Sequence, residues 1–160
     1  MTKIGGMELR WMMRRDLPQV LHIESESFRR PWSEEEFLLK LRQRNAIGMV
    51  ATDGSDQVYG FMIYELARSE LHLLNLAVAV PYRLQGIGKV LFEKLREKLS
   101  LQRRERIVAS VEEYNVPAQL FLRRCGCRAV RVLRNHFAPP DEHVDAYVFE
   151  VGVRSEEVAS

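Results

Sequence analysis

Apolar side chains recur along the chain with two different periods. From Leu17, the positions Val20, Leu21 and Phe28 follow the spacing of one helix face, with Asp16 placed to cap it and Glu24 falling inside the apolar stripe. Arg29 to Trp32 interrupts that pattern, and Ser33 followed by Glu36 has the spacing of a capping box for a second helix reaching about Arg42. Leu9 to Met13 reads as a first strand, and Ile47 to Thr52 and Val58 to Glu65 as two more, the latter joined into a hairpin by Asp53, Gly54, Ser55 and Asp56. Leu71 to Val80 is apolar except at His72 and Asn75, as expected of a central strand buried on both faces, and Pro81 ends it. Ile87, Leu91, Leu95 and Leu99 recur every four residues opposite Lys89, Glu93, Arg96 and Glu97, which predicts an amphipathic helix packed on a sheet. Ile107 to Val111 is a further strand, Pro117 suits the first turn of a helix to about Arg124, Gly126 suits its left-handed end, and Ala129 to Leu133 and Ala146 to Val151 complete the set.

The resulting order, β-α-α-β-β-β-α-β-α-β-β, is mixed α/β: a central mixed β-sheet flanked by helices, with a hairpin run that excludes a simple doubly wound parallel sheet. No repeat or Pro/Gly/Ser linker divides it, so residues 1–160 are expected to form a single domain with flexible ends at 1–6 and 153–160. With 46% hydrophobic and 29% charged residues the chain falls in the globular range, which excludes disorder and coiled coil. No apolar run approaches the ~20 residues of a membrane span. The polar start lacks a signal peptide's apolar core, so a cytoplasmic location without membrane attachment is expected. Cys125 and Cys127 flank Gly126 too closely for an easy mutual disulfide, and two thiols do not make a zinc site, so no metal is expected.

The net charge of +2 conceals three blocks. Residues 1–82 carry −1, residues 83–134 carry 13 basic and 5 acidic side chains for +8, and residues 135–160 carry −5. A basic middle between neutral and acidic ends points to an anionic ligand. The positive block opens on Arg83, Leu84, Gln85, Gly86, Ile87 and Gly88, between the apolar strand and the amphipathic helix. Glycines at such a turn let backbone N–H groups converge, and the helix N-terminus adds about half a positive charge. Leu91 stands where a dinucleotide fingerprint needs a small residue, and Val90 where a Walker loop needs a hydroxyl. Spacing alone leaves two readings open, an anion cradle or a plain strand-to-helix turn.

Val78 to Gly88 resembles motif A of the GNAT acetyltransferases, in which Arg or Gln, two residues, Gly, one residue, then Gly or Ala follow a buried strand. The resemblance implies an acetyl-CoA site. The turn from Arg83 through Leu84, Gln85, Gly86, Ile87 and Gly88 to Lys89 would take the pyrophosphate, and Leu76, Ala77 and Val78 the pantetheine arm, where the strand splays from its parallel neighbour. Asn115, with Ala118 after it, matches an asparagine that meets the cofactor. The N-terminal segment, with Ile23, Glu24, Phe28, Pro31, Trp32 and Ser33, is similar to the ribosomal-protein-alanine and related protein N-terminal acetyltransferases, as is Asn135, His136, Phe137 near the other end. That likeness implies an acceptor groove at Glu24, Phe28, Trp32 and His136 and a protein or peptide α-amine as acceptor, a ribosomal protein among the possibilities.

Two positions depart from that pattern. Ser110 stands where those enzymes have a general-base glutamate, and Leu122 where they have a general-acid tyrosine. His72, 11 residues before Arg83, is the replacement base, since an imidazole with an ordinary pKa of about 6.5 takes a proton at neutral pH. Glu112, of the same strand parity as Ser110, is a relay or ammonium ligand, and Tyr114 a candidate acid. Other readings stay open: acetylation of a small amine or a lysine, or a non-catalytic CoA-binding or interaction module. Nucleic-acid binding ranks low because the basic block has no aromatic stacking run.

Overall fold

The computed structural model describes residues 2–4, 6–135 and 144–153. Alternation and turn chemistry make β1 (Thr2–Ile4), β2 (Met7–Trp11), β3 (Ala46–Thr52) and β4 (Val58–Leu66) neighbours in chain order, followed by β5 (Glu70–Val78). The first three pairings are antiparallel, with Thr2 opposite Leu9, Leu9 opposite Ala51 and Val50 opposite Phe61. The chain divides into two compact units, Met1–Leu66 with Leu74–Leu95 and Ala67–Leu73 with Arg96–Ser160, and β5 runs through both. β1 lies where a loose end is expected at residues 1–6; three residues are too few for a periodic pattern to register.

In the first unit, α1 (Leu17–Ser27) and α2 (Glu34–Leu41) close over the sheet. Leu17, Val20 and Ile23 from α1 and Phe37 from α2 join Val50, Phe61, Ile63 and Ala77 in one buried cluster. Phe37 is wholly buried, its ring centroid 5.0 Å from that of Trp32 and 5.9 Å from that of Phe61. The capping box forms as its spacing predicts: the Glu36 N–H donates to Ser33 Oγ at 3.2 Å, and the Ser33 N–H to Glu36 Oε1 at 3.3 Å. Asp16 does not cap α1 with its side chain. Its buried carboxylate accepts two bonds from Arg10, at 2.8 and 2.9 Å, and one from the Met13 N–H at 2.7 Å, and this charge-assisted pairing outcompetes a cap. The amphipathic helix is α3 (Ile87–Arg96), which buries Ile87, Leu91, Phe92 and Leu95. Gly60 lets strands approach closely: a Cβ there would lie 3.0 Å from the Ala77 carbonyl oxygen.

In the second unit, Glu70–Leu73 of β5 runs parallel to β6 (Arg106–Glu112), with Glu70 opposite Arg106 and Leu73 opposite Ala109. β6 pairs antiparallel with β8 (Ala146–Gly152), which pairs antiparallel with the terminal strand β7 (Arg128–Leu133). α4 (Val116–Arg124) buries Leu122, and Ile107, Ala109 and Val111 of β6 and Phe149 of β8 are buried as well. Cys125 and Cys127 are buried thiols with no disulfide among the described residues, and burial pushes the Cys127 thiol up to about 12, so it is not a thiolate at neutral pH. β5 is not buried on both faces as its composition suggests. Burial alternates, with Leu71, Leu73, Asn75 and Ala77 buried and Glu70, His72, Leu74, Leu76 and Val78 half-buried, so the leucine run masks a strand with one partly open face.

Phe37→Ala is expected to cost about 3–5 kcal/mol, since the aromatic contacts on both sides are lost together. Urea denaturation checks this: the midpoint falls while the slope stays that of the wild type.

Candidate functional site

β5 ends at Val78, and a short 3-10 turn, Val80–Tyr82, leads to the glycine segment. Leu84 has φ of 64° and is fully exposed, and Gly86 has φ of 85°. Two left-handed residues within three positions reverse the chain tightly; a bulky residue held in that region is strain that accompanies function more often than packing. The first helical hydrogen bond of α3 runs from the Val90 N–H to the Gly86 carbonyl at 3.0 Å. The N–H groups of Ile87, Gly88 and Lys89 therefore precede the intrahelical ladder, at the positive end of the helix dipole. A Cβ at Gly86 would meet nothing within 4 Å among the described residues, so the turn borders open space.

Arg83 faces inward. Its Nε donates to the Val78 carbonyl at 2.9 Å and its Nη2 to Ser27 Oγ at 2.8 Å, pinning the end of β5 to the end of α1. Ser27 has no signal in the sequence that foretells this role. Leu76, Ala77 and Val78 form the last turn-proximal stretch of β5, and the ladder from β5 to β6 covers only Glu70–Leu73.

Glu24 is 1% exposed, and both of its oxygens are engaged. Oε2 accepts the Trp32 N–H at 2.9 Å and Oε1 accepts Asn75 Nδ2 at 2.9 Å. Burial pushes the Glu24 carboxyl above its ordinary value, against the two hydrogen bonds that favour the charged form. The carboxylate thus supports the connection between α1 and α2, where Phe28 and Trp32 pack partly buried against the core cluster. Asn75, which the sequence shows only as a break in an apolar strand, is the partner that Glu24 needs; its Oδ1 is buried with no hydrogen-bond partner among the described residues. Two isolated polar residues in two apolar elements are the signal that links them. His136 lies outside the described residues.

In the second unit, His72 Nε2 sits 3.0 Å from Glu70 Oε1, and Arg106 Nε donates to Glu70 Oε2 at 2.8 Å. Arg106 first, then His72, hold the Glu70 carboxyl below its ordinary value. Ser110 is exposed and shares its face of β6 with Glu112. Leu122 is 3% exposed in the core of this unit, so no side chain at that position reaches solvent without repacking. Asn115 Oδ1 caps α4 by accepting the Ala118 N–H at 3.1 Å. Gln119 Nε2 closes the same turn on the Glu112 and Glu113 carbonyls at 3.2 and 3.1 Å, and Tyr114 is 53% exposed at its tip. Among the described residues, no three His, Cys, Asp or Glu side chains group to hold a metal ion, and no helix is long and apolar enough to cross a membrane.

A raised carboxyl value makes stability depend on pH in a defined sense. The native state takes up the Glu24 proton before the unfolded chain does. Its contribution is complete below the ordinary carboxylate range and is lost as pH rises through the elevated native value. Glu24→Gln removes this dependence, so the wild type's advantage over E24Q in urea midpoint should shrink from pH 4.5 to pH 8. An advantage that grows over this range would contradict the assignment.

The family model of the acetyltransferase (GNAT) family matches residues 17–127. The chain is 27% identical over 138 residues to the ribosomal protein bS18-alanine N-acetyltransferase of Escherichia coli (strain K12), covering 86% of this chain and 92% of that protein. The crystal structure of Ard1 from Thermoplasma volcanium matches with a TM-score of 0.80 at 22% identity, covering 94% of this chain and 99% of that one. NAA60 from Arabidopsis thaliana in complex with acetyl-CoA matches with a TM-score of 0.78 at 20% identity, covering 92% and 99%. The two structures share the fold; the family model, spanning well over half of the sequence and including the left-handed turn and α3, carries the assignment, and the chain belongs to the GNAT family of acetyltransferases.

Proposed function

We propose that the protein moves the acetyl group of acetyl-CoA to the α-amine of a protein or peptide. The observation that carries this reading is the turn at Leu84 and Gly86, which leaves the N–H groups of Ile87, Gly88 and Lys89 at the head of α3 beside open space, in a chain of the acetyltransferase family. Those donors suit a pyrophosphate, and a rigid turn sets them without further ordering cost. Arg83 serves here by holding Val78 in place, and the backbone of Leu76, Ala77 and Val78 would orient the pantetheine arm, with the Val78 N–H toward the developing oxyanion. The Asn115 oxygen caps α4, which leaves its amide nitrogen for the cofactor. Bound acetyl-CoA supplies an activated acetyl thioester.

Phe28 and Trp32, braced by Glu24, form the acceptor side. His72 takes the proton of the attacking amine; the C–N bond forms, the C–S bond breaks, and the proton passes to the departing thiolate. Glu112 would meet the acceptor's ammonium, and Tyr114 would return the proton. An α-amine of pKa about 8 is partly neutral at pH 7, which asks less of the base than a lysine of about 10.4 would. The acceptor named for the Escherichia coli relative makes a ribosomal protein N-terminus the first substrate to test.

Calorimetry with acetyl-CoA and CoA, followed by CoA release against peptides that differ only at their first residue, tests the reading. Binding is expected, with release for at least one free α-amine and none for the same peptide formylated. Absence of CoA affinity would overturn the proposal, and binding without release would favour a non-catalytic module. Gly86→Val, which forces a β-branched residue to φ near 85°, should weaken acetyl-CoA binding at least about tenfold. His72→Ala should lower kcat by roughly 100-fold or more, the range of a lost general base.

A further inference from the structure

We infer that Glu70 is a positioning residue for His72: its carboxylate fixes the imidazole with hydrogen on Nε2 and leaves the Nδ1 lone pair as the proton acceptor. The inference rests on the reading of His72 as the base, but its structural half stands on the hydrogen bonds alone. Glu70 and His72 are two residues apart on β5 and share its partly open face, and Arg106 is directly opposite Glu70 on β6. One carboxylate oxygen accepts from Arg106 Nε at 2.8 Å, which leaves the other, 3.0 Å from His72 Nε2, for the ring.

An ionised carboxylate only accepts, so the nitrogen facing it must carry the hydrogen. In a neutral imidazole the other nitrogen is then the acceptor. A carboxyl that Arg106 and His72 hold below its ordinary value is ionised at neutral pH, which removes the opposite arrangement, a protonated carboxyl donating to an unprotonated Nε2. Among the described residues, Glu150 on β8, opposite Val108 and thus on the same face, and Glu105 preceding β6 also act on Arg106. His72 is 37% and Glu70 28% exposed at the side chain, so Nδ1 can be reached by an amine or a water. As a partly exposed ion pair this cluster contributes little to stability, so its removal should be read in chemistry and not in unfolding.

The test combines histidine 15N spectroscopy with kinetics, His72→Ala identifying the resonance. At pH 8 the wild type should show His72 with clearly separated nitrogen shifts, protonated on Nε2. In Glu70→Ala the two shifts should converge toward those of free imidazole, with kcat lowered about tenfold or more and KM for acetyl-CoA and peptide within about twofold. Arg106→Gln leaves the carboxylate in place and should keep the wild-type nitrogen pattern, which separates loss of the carboxylate from loss of a contact between strands. Unchanged nitrogen shifts in E70A, or equal convergence in R106Q, would overturn the assignment. Full activity in H72A would overturn the base reading, and with it the catalytic role of Glu70, while the nitrogen shifts would still decide whether Glu70 fixes the ring.

Discussion

A carboxylate taken out of water must find donors, and the candidate acceptor side of this protein is built around the two that Glu24 finds. One is the backbone N–H of Trp32, the other the side-chain amide of Asn75. The first ties down the connection between two helices; the second ties that connection to a central strand. Remove the carboxylate and the Trp32 amide and Asn75 lose their acceptor together, a heavier penalty than the mean value of a hydrogen bond suggests. Burial has already pushed the group's titration upward, so the arrangement is held at some cost. Such buried polar triplets supply orientation more than stability.

The glycine turn answers a different constraint. Between the end of β5 at Val78 and the start of α3 at Ile87 the chain uses two left-handed positions, one of them a leucine that buries nothing. Arg83 ties the last carbonyl of the strand to the hydroxyl at the end of α1. This changes how the basic block is understood. Several of its arginines are committed within the protein: Arg96 to the Cys125 carbonyl, Arg104 to the Ala67 carbonyl, Arg106 to Glu70, Arg123 over the Phe149 ring. The positive charge is therefore less a phosphate-seeking surface than its total implies, and the oriented N–H groups of Ile87, Gly88 and Lys89 carry more of the anion argument.

Much of the fold was legible because its signals are local. The Ser33 and Glu36 box, the four-residue repeat of α3 and the glycine turn each depend on residues a few positions apart, and each forms where its spacing predicts. What failed was non-local or too short. Asp16 looks like a helix cap until Arg10, six residues earlier on a strand, claims its carboxylate. The Leu71 to Val80 run reads as buried on both faces because leucine occupies both parities; the half-burial of one face depends on what packs there. In the site, the residue types that recognition relies on were visible, but their partners were not. Asn75 lies 51 positions from Glu24 and Arg106 lies 36 from Glu70, separations over which no pattern in one sequence forces a contact.

The absence of the familiar acid and base at positions 110 and 122 then has a physical sense on the proposed reading. Leu122 belongs to the core of its unit, so a hydroxyl there would exchange packing for an unsatisfied polar group. The chemistry can do without it: a thiolate leaving group, with a conjugate acid near the ~8.5 of cysteine, departs without a strong acid. What it cannot forgo is a proton acceptor aligned with the amine, and Ser110 is not one. The neighbouring strand offers His72, with a carboxylate two residues away and an arginine across the ladder that helps hold that carboxyl below its ordinary value. A base assembled on one regular strand is set by the pleat itself, which places Glu70 and His72 on the same side at fixed spacing, and so needs no loop to order before it can act.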